Sequence, residues 1–217
     1  MNRVIPLSRE FFERNAAEVA PALIGCVLAR RAGQQLRLAK IVETEAYVGE
    51  HDLACHAKAG RTARTDPMYG APGHAYVYFV YGIHHCLNTV CGPGGAPNAV
   101  LIRAVAPLTE AQVSELELPA AKIVPLLHSG VGPGNLCRAL EVSLLQNRAD
   151  LCDVKSDLII VPRIGGVPTI SVGPRIGVDY AGEWVQAPLR FWESGNVHVS
   201  KLKSDRAKRR VIRPRSR

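Results

Sequence analysis

Glu43, Glu45 and Tyr47 occupy alternate positions of the run Ile41-Val42-Glu43-Thr44-Glu45-Ala46-Tyr47. Side chains alternate along a strand, so the three share one face. On a buried face, desolvation and like charge both favour a carboxylate that holds its proton, a state suited to general acid or base work. On a solvated face the same pattern is ordinary, and the pattern alone leaves both readings open.

The second concentration is aromatic. Five of the twelve aromatic residues, Tyr69, Tyr76, Tyr78, Phe79 and Tyr81, fall within thirteen positions. Tyrosine is flat, apolar along its body and wettable at its tip, which suits a base-stacking surface as well as a core strand. On a strand, Tyr76 and Tyr78 face one way and Val77, Phe79 and Tyr81 the other. Tyr81 precedes Gly82, so it falls near a hairpin tip, where a ring can wedge between base pairs. The loop His56-Ala57-Lys58-Ala59-Gly60-Arg61-Thr62-Ala63-Arg64-Thr65 is small, basic and hydroxyl-rich. Lys58, Arg61, Thr62 and Arg64 suit phosphate oxygens there, unless the loop is merely solvated. Gly134-Asn135 at a helix start is a second, weaker phosphate seat.

These residues need elements to position them. Gln35 to Tyr47 reads as one long strand. Ala75 to Tyr81 reads as a strand by composition, Gly82 as its break and Ile83 to Val90 as its hairpin partner. Ala99 to Val105 is a buried-type strand carrying one charge, Arg103. Leu136 to Val142 reads as a helix capped by Asn135, and Ser8 as the cap of a helix through Glu10 to Glu13. Leu158 to Val161 and Thr169 to Val172 are short strands. Strands of irregular spacing with few helices indicate an α+β fold.

Composition removes several classes. The chain of 217 residues carries a net charge of +8, and the segment Lys201 to Arg217 holds nine basic residues and one acidic. The first 200 residues are therefore balanced, with eighteen of each sign. A wholly basic particle is excluded, and a neutral body with a cationic tail remains. No apolar run approaches the roughly 18 residues of a membrane span. The start, Met1-Asn2-Arg3-Val4-Ile5-Pro6, lacks the apolar region of a secretion signal. The expectation is a cytoplasmic protein with free thiols. A zinc grouping of Cys55, His56, His84, His85, Cys86 and Cys91 matches no standard ligand spacing, so no metal is expected. There is no phosphate-loop or dinucleotide fingerprint, so no cofactor is expected either.

Several runs, in order, resemble the alkyladenine (3-methyladenine) DNA glycosylase family. They are Ile41 to Tyr47, Tyr76-Val77-Tyr78-Phe79-Val80-Tyr81-Gly82, Leu101-Ile102-Arg103-Ala104 and Arg175-Ile176-Gly177-Val178-Asp179-Tyr180-Ala181-Gly182-Glu183-Trp184. Phe11-Phe12, Gly132-Pro133 and Pro188-Leu189-Arg190-Phe191 fit as well, so the resemblance spans about residues 5 to 200. It implies that Glu45 is a general base activating water, with Arg103 and the main-chain carbonyl of Ile176 helping to hold that water. It implies a base pocket walled by Tyr47, His56 and Tyr78, with Asn88 obstructing the amine of normal guanine. It implies that Tyr81 fills the gap left in the duplex, with Ile83 and His84 beside it.

The expected architecture is a single compact α+β domain, residues 1–200. It has a curved, mainly antiparallel sheet and a protruding hairpin that enters the DNA minor groove. Residues 201–217 form a basic tail expected to be disordered when free and to add nonspecific duplex affinity. The expected partner is double-stranded DNA containing damaged purines, and the expected state is a monomer. The competing class is a nonenzymatic nucleic-acid-binding module built on tyrosine stacking. It does not explain paired glutamates, which would repel phosphate. A zinc deaminase is excluded because its H-x-E and P-C-x-x-C ligand set is missing. A lysine Schiff-base lyase stays open, with Lys40 and Lys58 near the site in sequence.

Overall fold

The structure, a computed structural model, describes residues 5–116 and 122–201. Its elements in chain order are α1 (Arg9–Phe12), α2 (Ala16–Ala22), β1 (Val27–Ala32), β2 (Gln35–Val48), β3 (Ala75–Val80), β4 (His84–Cys91) and β5 (Asn98–Pro107). They continue with α3 (Glu110–Glu115), β6 (Lys122–Ile123), α4 (Pro133–Leu140), β7 (Leu158–Val161), β8 (Ile170–Gly173) and β9 (Arg190–Glu193). The tail expected to be disordered begins at Lys201, and its residues 202–217 lie outside the described residues.

The strands form one mainly antiparallel sheet with the path β3-β4-β5-β2-β1-β7. Its spine is β2, whose 14 residues take four partners. β1 pairs with residues 35–40 and β9 with 43–45, on one edge. β6 pairs with 35–36 and β5 with 39–48, on the other. The expected curved sheet is therefore corrected. The sheet is open, with β3 and β7 as its end strands, and it grows by branching along β2 instead of curling.

The second part of that expectation is corrected too. β3 and β4 pair in register from Ala75↔Thr89 to Val80↔His84, and β4 joins β5 only through Asn88 to Cys91. The tip half of the hairpin is backed by α4: a Cβ on Gly134 would lie 2.8 Å from the His84 ring. The hairpin is thus a packed part of the body, and no insertion into a DNA groove is indicated.

The core lies between the sheet and its helices, with Phe12, Val19, Leu23, Ile41, Leu136 and Leu140 all fully buried. α2 is fixed over β2 by the Thr44 hydroxyl, which donates to the Ala20 carbonyl at 2.9 Å. α4 begins at Pro133, not after Asn135 as expected, because proline suits the first helical position. Its cap is Gly132, at φ 94°, and Asn135 donates back to the Val131 carbonyl at 2.8 Å. Ser8 precedes α1 without a side-chain cap bond. The outer edge of β3 is occupied by residues 147–149, through the main chain of 148 and 149 and the side chain of Asn147. The Ala75 N–H donates to the Ala149 carbonyl at 2.8 Å, and the Val77 N–H to Asn147 Oδ1 at 3.0 Å. No helix among the described residues is long and apolar enough to cross a membrane.

Candidate active site

β2 carries both glutamates into the interior. Its ladder to β5 shifts register on either side of Glu43, and such a bulge re-aims a side chain. Glu43 and Glu45 consequently converge on one arginine. Arg103, from β5, sets Nε 3.1 Å from Glu43 Oε1 and Nη1 3.2 Å from Glu45 Oε1. Arg190, from β9, adds Nε at 2.7 Å to the same Glu43 oxygen, and the Ser200 N–H donates to Glu43 Oε2 at 2.7 Å. Two carboxylates and two guanidiniums thus balance in a cluster where neither glutamate side chain has any solvent exposure. An unpaired buried charge would cost several kcal/mol, which is why the four come together. Burial alone would weaken the hold of Arg103 on its proton. Glu45 and Glu43 outweigh that and push its pKa up.

Glu45 has two further partners. The Ile176 N–H donates to Oε1 at 2.7 Å, and the Tyr47 hydroxyl donates to Oε2 at 2.9 Å. The main-chain group of Ile176 on Glu45 is thus its amide. Burial first, then the Glu45 charge, raises the Tyr47 pKa well above normal, so this hydroxyl keeps its proton.

A second buried pair stands behind Tyr47. Arg175 grips Asp52 with Nη1–Oδ2 at 2.5 Å and Nη2–Oδ1 at 2.8 Å, and donates to the Ala46 carbonyl at 2.9 Å. The guanidinium carbon of Arg175 lies 4.7 Å from the Tyr47 ring centroid. The ring is therefore held by a cation that is itself locked.

In front of these groups opens a cavity of about 570 Å³, within the range of small-ligand pockets. Tyr47, His56, Tyr78, Asn88, Arg103 and Ile176 all line it. Glu45 does not; its partners Tyr47, Arg103 and Ile176 stand between it and the cavity. His56 and Tyr78 meet edge to face at 4.5 Å, and His56 Nδ1 lies 3.0 Å from the Tyr76 hydroxyl. Burial, then Arg64 and Lys58, push the His56 pKa down to about 4, so the ring is neutral at pH 7. Asn88 is buried and donates to the Tyr76 carbonyl at 3.0 Å. The pocket can therefore hold a flat ring between aromatic surfaces without opposing a positive charge on it.

Tyr81 and His84 line the cavity as well, whereas Ile83 is exposed beyond it. Tyr81 is 87% exposed and adopts φ 54°, followed by Gly82 at φ 68°. A side chain in this left-handed region costs roughly 1–2 kcal/mol. The basic loop lies outside the lining, apart from His56. Lys58 donates to the Leu53 carbonyl at 2.9 Å, and Arg61 pairs with Asp66 at 2.7 Å. Arg64 lies 5.4 Å over the Tyr78 ring, and the Thr62 hydroxyl is 3.0 Å from that of Thr65. Of the residues weighed as a zinc grouping, His56 is engaged by Tyr76 and Cys55 by the Pro97 carbonyl at 3.9 Å. No metal-holding group occurs among the described residues.

Sequence reasoning passed over Asp52, Arg190 and Ser200 as site residues, and gave Arg175 no role of its own. The available signal was an arginine between apolar neighbours, as in Leu189-Arg190-Phe191, since such a charge needs a buried partner.

The sequence profile described as methylpurine-DNA glycosylase matches residues 10–197. A Myxococcus xanthus protein bearing the name 3-methyladenine DNA glycosylase is 45% identical over 199 residues, covering 90% of this chain and 93% of its own. A Methanocella arvoryzae protein of the same name is 44% identical over 195 residues, covering 90% and 96%. One from Bacillus cereus (strain B4264) is 41% identical over 201 residues, covering 88% and 97%.

Proposed function

The chain belongs to the methylpurine-DNA glycosylase family, and from that membership we propose that it removes damaged purines from duplex DNA by hydrolysis. The substrates are alkylated or deaminated purines of the 3-methyladenine, 7-methylguanine, hypoxanthine and ethenoadenine class, and the product is an abasic site. The observation that carries this reading is the buried, charge-balanced carboxylate Glu45 directly behind an aromatic pocket. A binding module has no use for such a group.

A base inside a duplex cannot be reached, so the nucleotide must swing out, at a cost of a few kcal/mol that is smaller for a damaged base. Tyr47, His56 and Tyr78 wall the ring, and neutral His56 does not repel a cationic purine. Asn88 narrows the pocket against the amine of guanine. As the glycosidic bond lengthens, the sugar becomes oxocarbenium-like. The negative charge of Glu45 favours that cation, and its basicity draws the proton from the attacking water. Arg103 fixes Glu45 in place. Lys58, Arg61, Thr62 and Arg64, all exposed, face the phosphates of the same strand. Arg61 exchanges Asp66 for a phosphate when DNA binds.

The test is base release from duplexes each carrying one of these lesions, with the strand nicked afterwards by alkali. Alkali-dependent nicking of lesion strands alone is the expected result, with no borohydride-trapped adduct. Binding without release would instead favour the nonenzymatic reading. A trapped adduct would favour a lysine lyase.

Tyr81, 87% exposed at the turn after β3, offers its ring to a bound duplex from the rim of the cavity. Replacing it separates this role from the fold. Tyr81→Gly relieves the left-handed strain but frees the unfolded chain, and these effects nearly cancel, so stability should change by no more than about 1 kcal/mol. Affinity for lesion duplex should fall by roughly tenfold or more, since base stacking is worth about 1–3 kcal/mol. Unchanged affinity would remove Tyr81 from the DNA contact.

A further inference from the structure

Glu45 has the chemistry of a general base but no surface in the cavity. Its side chain is fully buried, and the cavity wall in front of it is formed by its own partners. Two of the three hold the carboxylate at Oε1: Arg103 Nη1 at 3.2 Å and the Ile176 N–H at 2.7 Å. The third, Tyr47, binds the other oxygen, Oε2, at 2.9 Å, and is the only one that presents a group able both to give and to accept a proton. A guanidinium stays protonated, and a main-chain amide exchanges nothing on this timescale. We propose that the Tyr47 hydroxyl relays the proton between the attacking water in the cavity and Glu45. This inference rests on the assignment of Glu45 as the base.

The step balances as follows. The water oxygen forms a bond to the anomeric carbon as the carbon–nitrogen bond breaks, and that electron pair leaves with the purine. One water proton passes to the Tyr47 oxygen while the Tyr47 proton passes to Glu45 Oε2. Tyr47 ends as it began, Glu45 ends neutral, and a purine that entered with a positive charge leaves uncharged. The same ring is a wall of the pocket, so the hydroxyl is delivered at the bound base by the contact that grips it.

Three features hold the relay in line. Arg175 fixes the Tyr47 ring from behind at 4.7 Å, and Asp52 locks Arg175 with two bonds. Glu43 keeps Nε of Arg103 occupied at 3.1 Å, so Arg103 meets Glu45 through Nη1, at Oε1, and Oε2 is left to Tyr47. Tyr47, with its pKa raised by desolvation and by the Glu45 charge, keeps its proton, so the hydroxyl is a donor at rest.

The experiment is Tyr47→Phe, which keeps the ring and removes only the hydroxyl, compared with wild type and Glu45→Gln on the same lesion duplex. Binding should stay within about twofold, and single-turnover base release should fall by roughly tenfold to a hundredfold, as expected for one element of acid–base machinery. A second measurement needs no variant. In mixtures of H₂O and D₂O the wild-type rate should fall along a curve, the signature of two protons moving together, and Tyr47→Phe should give a straight line. Wild-type release by Tyr47→Phe overturns the relay, as does a straight line for the wild-type protein or a loss of rate matched by loss of binding. Full activity in Glu45→Gln would instead overturn the assignment of the base itself.

Discussion

Glu45→Gln should bind a lesion duplex as the parent does and release its base about 10²- to 10⁴-fold more slowly in a single turnover, the range general acid–base groups contribute. The substitution is close to isosteric, and the Ile176 N–H keeps an oxygen to bond. It leaves Arg103 and Arg190 sharing the one carboxylate of Glu43, at 3.1 and 2.7 Å, so the buried cluster carries an excess positive charge and the melting temperature should fall. Lost activity in a protein that is still folded at the assay temperature and binds unchanged would assign the effect to chemistry. Activity within a few-fold of the parent would remove Glu45 from the proposed mechanism.

Arg175→Met should be among the most destabilising single changes, by about 3–5 kcal/mol, because it strands a buried charge. Asp52 has no solvent exposure and loses both bonds to Arg175, which leaves only the N–H groups of Val48 and Ala54, at 3.2 and 3.0 Å. Against a total of roughly 5–15 kcal/mol this is a large fraction. Urea denaturation measures it. Adding Asp52→Asn removes the stranded charge and should restore part of the loss. An unchanged midpoint for Arg175→Met would mean that the pair contributes nothing to the folded state. A fully restored double variant that still releases base slowly would assign Arg175 a further effect through the Tyr47 ring.

The legible parts of this fold are those with local causes. The strand bearing Glu43, Glu45 and Tyr47 was expected over Gln35 to Tyr47 and spans Gln35–Val48. The hairpin, the strand around Arg103 and the strand Leu158–Val161 follow equally from composition and punctuation. The shape of the sheet does not. Whether β2 shares its length between two strands on each edge depends on chain segments more than a hundred residues away, such as β9. The Asp52–Arg175 pair spans 123 residues and gives no signal at either end. The bulge at Glu43 is invisible to an alternating pattern that assumes a regular ladder. The basic residues of the loop Lys58 to Arg64 are legible as a set, but the pairing of Arg61 with Asp66 is not, because it depends on how the turn between them closes.

The segment along the outside of β3 has a consequence for how copies of the protein meet. A tyrosine-rich strand at the end of a sheet is a template on which another chain can pair, and pairing of that kind leads to aggregation. Here two successive outward amides of β3, those of Ala75 and Val77, are already bonded to residues 149 and 147. The strand that supplies Tyr76 and Tyr78 to the pocket thereby keeps its aromatic surface while offering a neighbour little edge to grow on. Colloidal stability at this edge is provided by a few residues of loop, without changing any side chain the pocket uses.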